Sequence, residues 1–268
     1  MTYYKASPSK LATWQDCRRR FRLQYVDRVR AFDTWAHFSY GNSVHAALKD
    51  WWDHPIEQRT PELGSALLVT KWISGGFRDA EQSDRWREQA ADFVAGYLSG
   101  VDAANEPVNR EASYSYLTAN LNLTGRLDRL DARNGELVVV DYKTGKSVPT
   151  EEDARSSQAM ALYAAAAAYR HKTPCVQVEL HHIPSNTVAM WRHTEDSLAR
   201  QLDRLDSVGQ EARRAQDDAQ TNPDSVDDIF TANPGPLCAY CPYLSQCNEG
   251  SAQYVKKQSW EGLPTADD

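Results

Sequence analysis

Up to about residue 100, apolar positions recur at three- and four-residue spacing, the period of an amphipathic helix. Ser7-Pro8-Ser9 opens the first such segment, with Ser7 as cap and Pro8 at the first helical position, where a missing N–H costs nothing. Leu11, Trp14, Phe21 and Tyr25 then form one stripe, which predicts a single helix. A second helix is expected over 42–53, with Val44, Leu48, Trp51 and Trp52 on one side and Pro55 ending it. Two more are expected over 61–77 and 84–98. The pattern then changes to strands over 111–117, 121–130 and 136–143, the second alternating and the third continuously apolar at Leu137-Val138-Val139-Val140. Such a run predicts a central strand covered on both faces. A helix over 152–170, with small residues from Ala164 to Ala168, precedes two further strands over 176–183 and 187–193. A charged helix over 195–217 leads through the loop 221–236 into a cysteine-rich end, and the tail beyond Gly250 is expected to be loosely held.

Composition narrows the class. The chain has 268 residues, 41% hydrophobic and 25% charged, as expected of a globular protein with a substantial core. Met1 to Lys10 has no apolar stretch that would serve as a signal peptide, and the run Ala159 to Tyr169 is half a membrane span, so a cytoplasmic protein without a membrane partner is expected. The net charge of −7 argues against polyanion binding over the whole surface and leaves room for one basic patch. Arg18, Arg19, Arg20 and Arg22, followed by Arg28 and Arg30, supply it, and phosphate is the natural partner. A solvated helix face with arginine stems over aromatic rings is the alternative. Trp35, Phe38 and Tyr40 lie beyond this patch, either to stack on unpaired bases or to fill the core. Five cysteines, an odd number in a reducing compartment, point to metal ligation rather than disulfides. Cys175, beside Pro174 at a strand start, reads as a small buried hydrophobe.

Asn134-Gly135 sits between two strands and signals a two-residue type I′ hairpin. That turn sets Arg133 opposite Glu136 and, continuing the register, Asp128 opposite Asp141 with both side chains on one face. Opposed carboxylates repel, more so beside a buried strand, so a cation belongs between them. Lys143, two residues after Asp141, points to the same face. Two acids and an ammonium at a strand end suit Mg²⁺ or Mn²⁺ and phosphate chemistry, with Lys143 orienting water or stabilising charge on the phosphorane. The residues alone also admit a surface hairpin with an Asp–Lys ion pair.

Gly125-Arg126-Leu127-Asp128-Arg129 followed by Val140-Asp141-Tyr142-Lys143-Thr144-Gly145 resembles the second and third motifs of the PD-(D/E)xK nuclease superfamily, in particular its RecB-like exonucleases. Ser7 to Tyr25 is similar to that family's opening segment, and Gly41-Asn42-Ser43-Val44-His45 to its Gly-x-x-x-His metal motif, so the resemblance runs from residue 7 to 247. It implies an α/β, restriction-endonuclease-like core with a central mixed β-sheet flanked by helices, a helical N-terminal region and a C-terminal Cys-rich segment. A single domain over 1–268 is expected, divided into a helical part (1–100), a nuclease core (105–195), a helix and cluster segment (196–250) and a tail (251–268). By the resemblance His45, Asp128 and Asp141 become metal ligands, joined by Tyr142, and Lys143 the catalytic lysine. Glu111 resembles an acidic residue often found ahead of the hairpin. Tyr163 and Gln158 stand where relatives carry substrate-contacting Tyr and Gln, although here Gln158 precedes Tyr163 by one residue more than the usual spacing.

Cys238-Ala239-Tyr240-Cys241, then Cys247, leaves one ligand to be found, and Cys17 is the natural candidate. Zinc ribbons use two Cys-x-x-Cys knuckles; this spacing instead resembles the iron–sulfur exonucleases, including AddB and the CRISPR-associated nucleases, which implies a 4Fe-4S cluster stapling the N-terminal helix to the C-terminal segment. Thiolates alone admit zinc as well. The expected function is a metal-dependent DNA exonuclease acting nonspecifically on ends or single strands in recombination, repair or DNA processing, with a helicase or recombination partner. A noncatalytic DNA-binding or assembly module on the same fold is the competing class.

Overall fold

The computed structural model describes residues 3–31 and 33–263. In chain order the elements are β1 (Tyr4–Ala6), α1 (Pro8–Asp16), α2 (Arg18–Phe21), a π-helical turn (Arg22–Val26), α3 (Ala36–Asp53), α4 (Pro61–Lys71), α5 (Ala80–Leu98), β2 (Asn109–Leu117), β3 (Leu121–Arg133), β4 (Glu136–Lys143), α6 (Glu151–Ser156), α7 (Gln158–His171), β5 (Cys175–His182), β6 (Thr187–Arg192), α8 (Glu195–Thr221), α9 (Val226–Ile229) and α10 (Asn248–Ser251). No helix among the described residues is long and apolar enough to cross a membrane.

Two expected helices are each broken by a residue that caps the next. Ser7 caps α1 as expected, its hydroxyl accepting from Lys10 N–H, but Cys17 is extended (φ −162°, ψ 113°) and its sulfur receives Arg20 N–H at the start of α2. The helix expected over 152–170 divides at Ser157, whose hydroxyl takes Met160 N–H and starts α7. In both places a side chain satisfies an orphan N–H, which apolar periodicity does not register. α3 begins well before the expected Asn42, and Trp35 and Tyr40 at its start are buried. It ends at His54, held extended by the following Pro55.

The chain divides into two compact units, and the division cuts across the successive segments expected from sequence. One collects Thr34–Tyr114, Arg126–Leu198 and the segment from Ser259; the other collects the N-terminal residues to Asp33, Ser115–Gly125 and Ala199–Gln258. In the first, a mixed sheet grows from the hairpin. Asn134 and Gly135 take φ 52° and 81°, the type I′ signature, and β3 pairs antiparallel with β4 from Arg133↔Glu136 to Arg129↔Val140. β4 runs parallel to β5, and β5 antiparallel to β6. Leu137 to Val140 are all at or below 3% exposure, as a strand covered on both faces requires. One cover is α3 to α5, where Val44, Leu48, Trp51, Trp52, Trp86 and Leu98 pack with Val138, Val140 and Tyr142. α7 packs on β4 and β5. The tail is not loose here: Leu263 is buried in the same core, and Ala36 N–H bonds Ser259 C=O at 3.1 Å. Residues 264–268 of the expected tail lie outside the described residues.

The second unit pairs β1 parallel with the start of β3, from Tyr4↔Leu121 to Ala6↔Leu123. The expected stripe fills its core: Trp14 and Phe21 meet Phe230, just after α9, and Ala212 of the long helix α8. Gly209 of α8 lies so close to Leu121 that an added Cβ would sit 2.3 Å from its side chain.

Charged side chains lie buried among these elements. Arg129 donates to the hydroxyls of Tyr97 and Tyr142 at 3.2 Å and pairs with Asp131. Arg133 joins Asp131 (2.6 Å) to Glu179 (2.7 Å), and His181 bridges Glu179 (2.9 Å) to the Tyr97 hydroxyl (2.8 Å). Burial opposes ionisation of Glu179, yet the bonds from His181, Arg133 and Gln177 prevail and hold its carboxyl down to about 2. A carboxyl so depressed contributes stability above its ordinary pKa of 4.5, and the contribution is lost as pH falls toward about 2. Glu179→Gln is expected to cost about 1–3 kcal/mol at pH 7. Urea titrations across pH should show the gap between wild type and variant closing between pH 4.5 and about 2; a gap independent of pH would refute the assignment.

Candidate metal-dependent active site

Where β3 and β4 separate beyond Arg129↔Val140, Asp128 turns its side chain to the neighbouring strand, and its carboxylate accepts Tyr142 N–H at 2.8 Å. The backbone of β4 thus fixes one acid beside the other. Asp141 lies against Lys143, whose ammonium is 2.7 Å from its carboxylate. Burial and the charge of Asp128 hold the Asp141 carboxyl above the usual carboxylate range, against the pull of Lys143 and His45. The expected arrangement of two acids and a lysine on one strand end is present.

Two further elements complete the cluster. His45 projects from α3 with Nδ1 3.4 Å from Asp128 and 3.5 Å from Glu111 of β2. Its Nε2 lies 3.2 Å from the Tyr142 carbonyl oxygen. Burial alone would lower the imidazole pKa; bonds and charges from Asp128 and Glu111 overcome it and push the value up to about 10. Glu111 reaches this place only by taking φ 45°, a left-handed conformation that costs a non-glycine residue about 1–3 kcal/mol and is found where function over-determines the backbone. Arg126 holds it, with Nε 2.7 Å from its carboxylate and 3.1 Å from its carbonyl oxygen. Ligand atoms of His45, Glu111 and Asp128 all lie within 4.8 Å of one another. One imidazole and two carboxylates around so small a space form a donor set suited to a hard divalent cation such as Mg²⁺ or Mn²⁺.

The remaining expected residues divide. Tyr163, on α7, is 9% exposed, and burial followed by the charges of Asp141 and Asp128 pushes its phenol up to about 12. It therefore stays protonated as a hydrogen-bond donor near the acids. Gln158 opens α7 and is half-buried; among the described contacts nothing joins it to the cluster. Arg126, two residues before Asp128 and so on the same face of β3, is a further member of the site through its hold on Glu111. Thr144 also lies close to α3: a Cβ on Gly41 would sit 3.1 Å from its hydroxyl, a tight contact that a side chain at residue 41 would press on.

Elsewhere, Cys17, Cys238, Cys241 and Cys247 line one small cavity of about 20 Å³, and three of them also border a larger one of about 350 Å³. Each sulfur accepts a backbone N–H: from Arg20 at 3.5 Å, Gly235 at 3.4 Å and Gly250 at 3.4 Å for Cys17, Cys238 and Cys247, and from Tyr243 for Cys241. Cys175 is 1% exposed, and burial pushes its thiol up to about 12, an inert core residue. The arginine patch is largely engaged within its own unit. Arg19 pairs with Asp227 and Glu249, Arg22 with Asp27 and Asp227, Arg18 lies over Trp14, and Arg20 faces the cysteine cavity. Of the aromatics before His45, Trp35 and Tyr40 are core, at 4% and 1% exposure, while Phe38 is 61% exposed.

The fold has a counterpart among solved structures. A structure from Eubacterium rectale described as a candidate exonuclease superposes with a TM-score of 0.53, at 10% identity, over 94% of this chain and 88% of its own. The SSO0001 structure is 12% identical over 93% of this chain and 88% of its own, with a TM-score of 0.39. No curated protein matches significantly. The family model for the PD-(D/E)XK nuclease superfamily matches residues 5–248, and with the acids, lysine and histidine of the hairpin site in place, the chain belongs to that superfamily.

Proposed function

We propose that this protein is a metal-dependent deoxyribonuclease that hydrolyses phosphodiesters at DNA ends or in single strands, in recombination, repair or DNA processing. The observation that carries the reading is the convergence of His45, Glu111, Asp128 and the Asp141–Lys143 pair on one strand end. A divalent cation held there would polarise a phosphoryl oxygen and lower the pKa of a bound water. The protein's own groups do the rest. Asp128 is fixed by the Tyr142 amide and Glu111 by Arg126, so neither carboxylate must reorganise when substrate arrives. Lys143, paired with Asp141 yet 45% exposed on its side chain, can reach the attacking water or the phosphorane oxygens. Tyr163 can donate to a phosphate oxygen. The exonucleolytic preference rests on the likeness of the two hairpin motifs to those of RecB-like exonucleases, and the absence of a base-reading motif fits a nonspecific enzyme.

The four-cysteine cavity is read as the seat of a structural 4Fe-4S cluster. Supporting it are the four cysteines that line one cavity, each sulfur receiving a backbone N–H. Cys17 and the other three are far apart in sequence, so the ligated group would close a long loop.

End-labelled single- and double-stranded DNA incubated with Mg²⁺ or Mn²⁺ tests the first reading. Wild type should shorten at least one substrate progressively, and Asp141→Ala should abolish this. Lys143→Ala should lower kcat by about 10²–10³-fold with little change in KM. A cluster-loaded, folded wild type that cuts neither strand would end the enzymatic reading. For the cysteines, anaerobically purified protein should be coloured and contain iron, and Cys17→Ser should lose both colour and thermal stability. Colourless protein with stoichiometric zinc would replace iron–sulfur by a zinc site, and an unchanged Cys17→Ser variant would remove Cys17 from the ligand set.

A further inference from the structure

Phe38 is the exposed ring at the rim of the metal cleft. It lines one cavity of about 420 Å³ together with His45, Glu111 and Lys143, within the size range of ligand pockets. On α3 it precedes His45 by seven residues, so the two share a helix face about 10 Å apart along the axis. Gly41 and Asn42 lie between them on that face, and Gly41, Gly145 and Gly262 contribute no side chain to the cavity wall. A single exposed aromatic on an ordinary surface needs no explanation. This one borders the place where phosphodiester chemistry would occur.

Its setting is also built. The His37 imidazole packs against the Phe38 ring with centroids 4.2 Å apart. Gly262 presses on His37 so closely that an added Cβ would lie 2.6 Å from Nδ1. Burial lowers the His37 pKa, which favours the uncharged ring. The phenyl is therefore backed on one side and presented to solvent on the other. Such a surface offers no hydrogen-bond donors for a phosphate or a sugar. It offers a π-face, whose partner in a nucleic acid is a base.

We propose that Phe38 forms a stacking subsite for the unpaired nucleobase next to the scissile phosphate, and so directs the site to single-stranded or frayed DNA. The inference rests on the nucleolytic reading of the cleft. In a duplex interior each base is stacked on both faces and paired at its edge, so no base is free to take up the ring. The subsite accepts any base, because every base has a π-face.

Two measurements separate this inference from the one beneath it. Binding of a fluorescent single-stranded oligonucleotide, read by anisotropy in the Lys143→Ala background, should weaken about 5- to 150-fold on adding Phe38→Ala, and Phe38→Trp should restore it. In turnover by otherwise wild-type protein, the loss in Phe38→Ala should fall mainly on KM. An abasic residue in the strand should make wild type pause at one step, whereas Phe38→Ala should show no added pause there. Mn²⁺ affinity without DNA should be the same in both proteins. If wild type digests single strands and Phe38→Ala binds and digests them equally well, the subsite does not exist. A loss of Mn²⁺ affinity in Phe38→Ala would make the residue structural and equally overturn the proposal. If wild type cuts nothing while binding still depends on Phe38, the hydrolytic reading fails and the stacking subsite stands.

Discussion

Two carboxylates at the end of a buried strand pair repel each other, and the surroundings of Asp128 and Asp141 are organised around that repulsion. Lys143 neutralises one acid from the same strand, and the Tyr142 amide satisfies the other. His45 enters from α3 between Asp128 and Glu111, and its proton is held up to about pH 10 by their charge. The His45 imidazolium, the Lys143 ammonium and the Arg126 guanidinium balance the three acids. A carboxylate cluster of this kind is costly to maintain, and its cost is evidence that it is used.

Tyr142 links this site to the interior. Its backbone touches Asp128 and His45, while its side chain points to the opposite face of β4, where its hydroxyl receives Arg129. Arg129 in turn reaches Tyr97 and Asp131, and through them His181, Arg133 and Glu179. A buried, densely paired network of this sort favours one arrangement of the strands, because a slip would strand a charge. The segment that carries Asp141 and Lys143 is thereby held from behind by polar bonds, as well as by the packing of Val138 and Val140.

Much of the site was legible because a hairpin is a local device. Asn134-Gly135 dictated the turn and the turn dictated the register as far as Arg129↔Val140, which leaves Asp128 next to β4, where its carboxylate takes the Tyr142 N–H. The helix stripe of Val44, Leu48, Trp51 and Trp52 was legible for the same reason, since a 3.6-residue period is written in the order of the residues. The breaks at Cys17 and Ser157 were not, because a side chain capping an N–H three residues on leaves the apolar pattern intact. The pairing of the arginines was not legible either. A run of like charges reads as a patch, and only the fold brings Asp227 and Glu249 to Arg19 and Asp27 and Asp227 to Arg22.

The sequence by itself determined the hairpin, the covered central strand, the alternation of helices and strands, and the residues that resemble a nuclease site, since each is set by neighbours a few positions apart. Tertiary structure alone decided that Glu111 sits beside His45, that Arg126 secures it, that Trp35 and Tyr40 belong to the core while Phe38 faces the cleft, and that four distant thiols line one cavity. Those facts depend on which surfaces are buried against each other, and burial is a property of the packed chain that residues far apart in order settle only together.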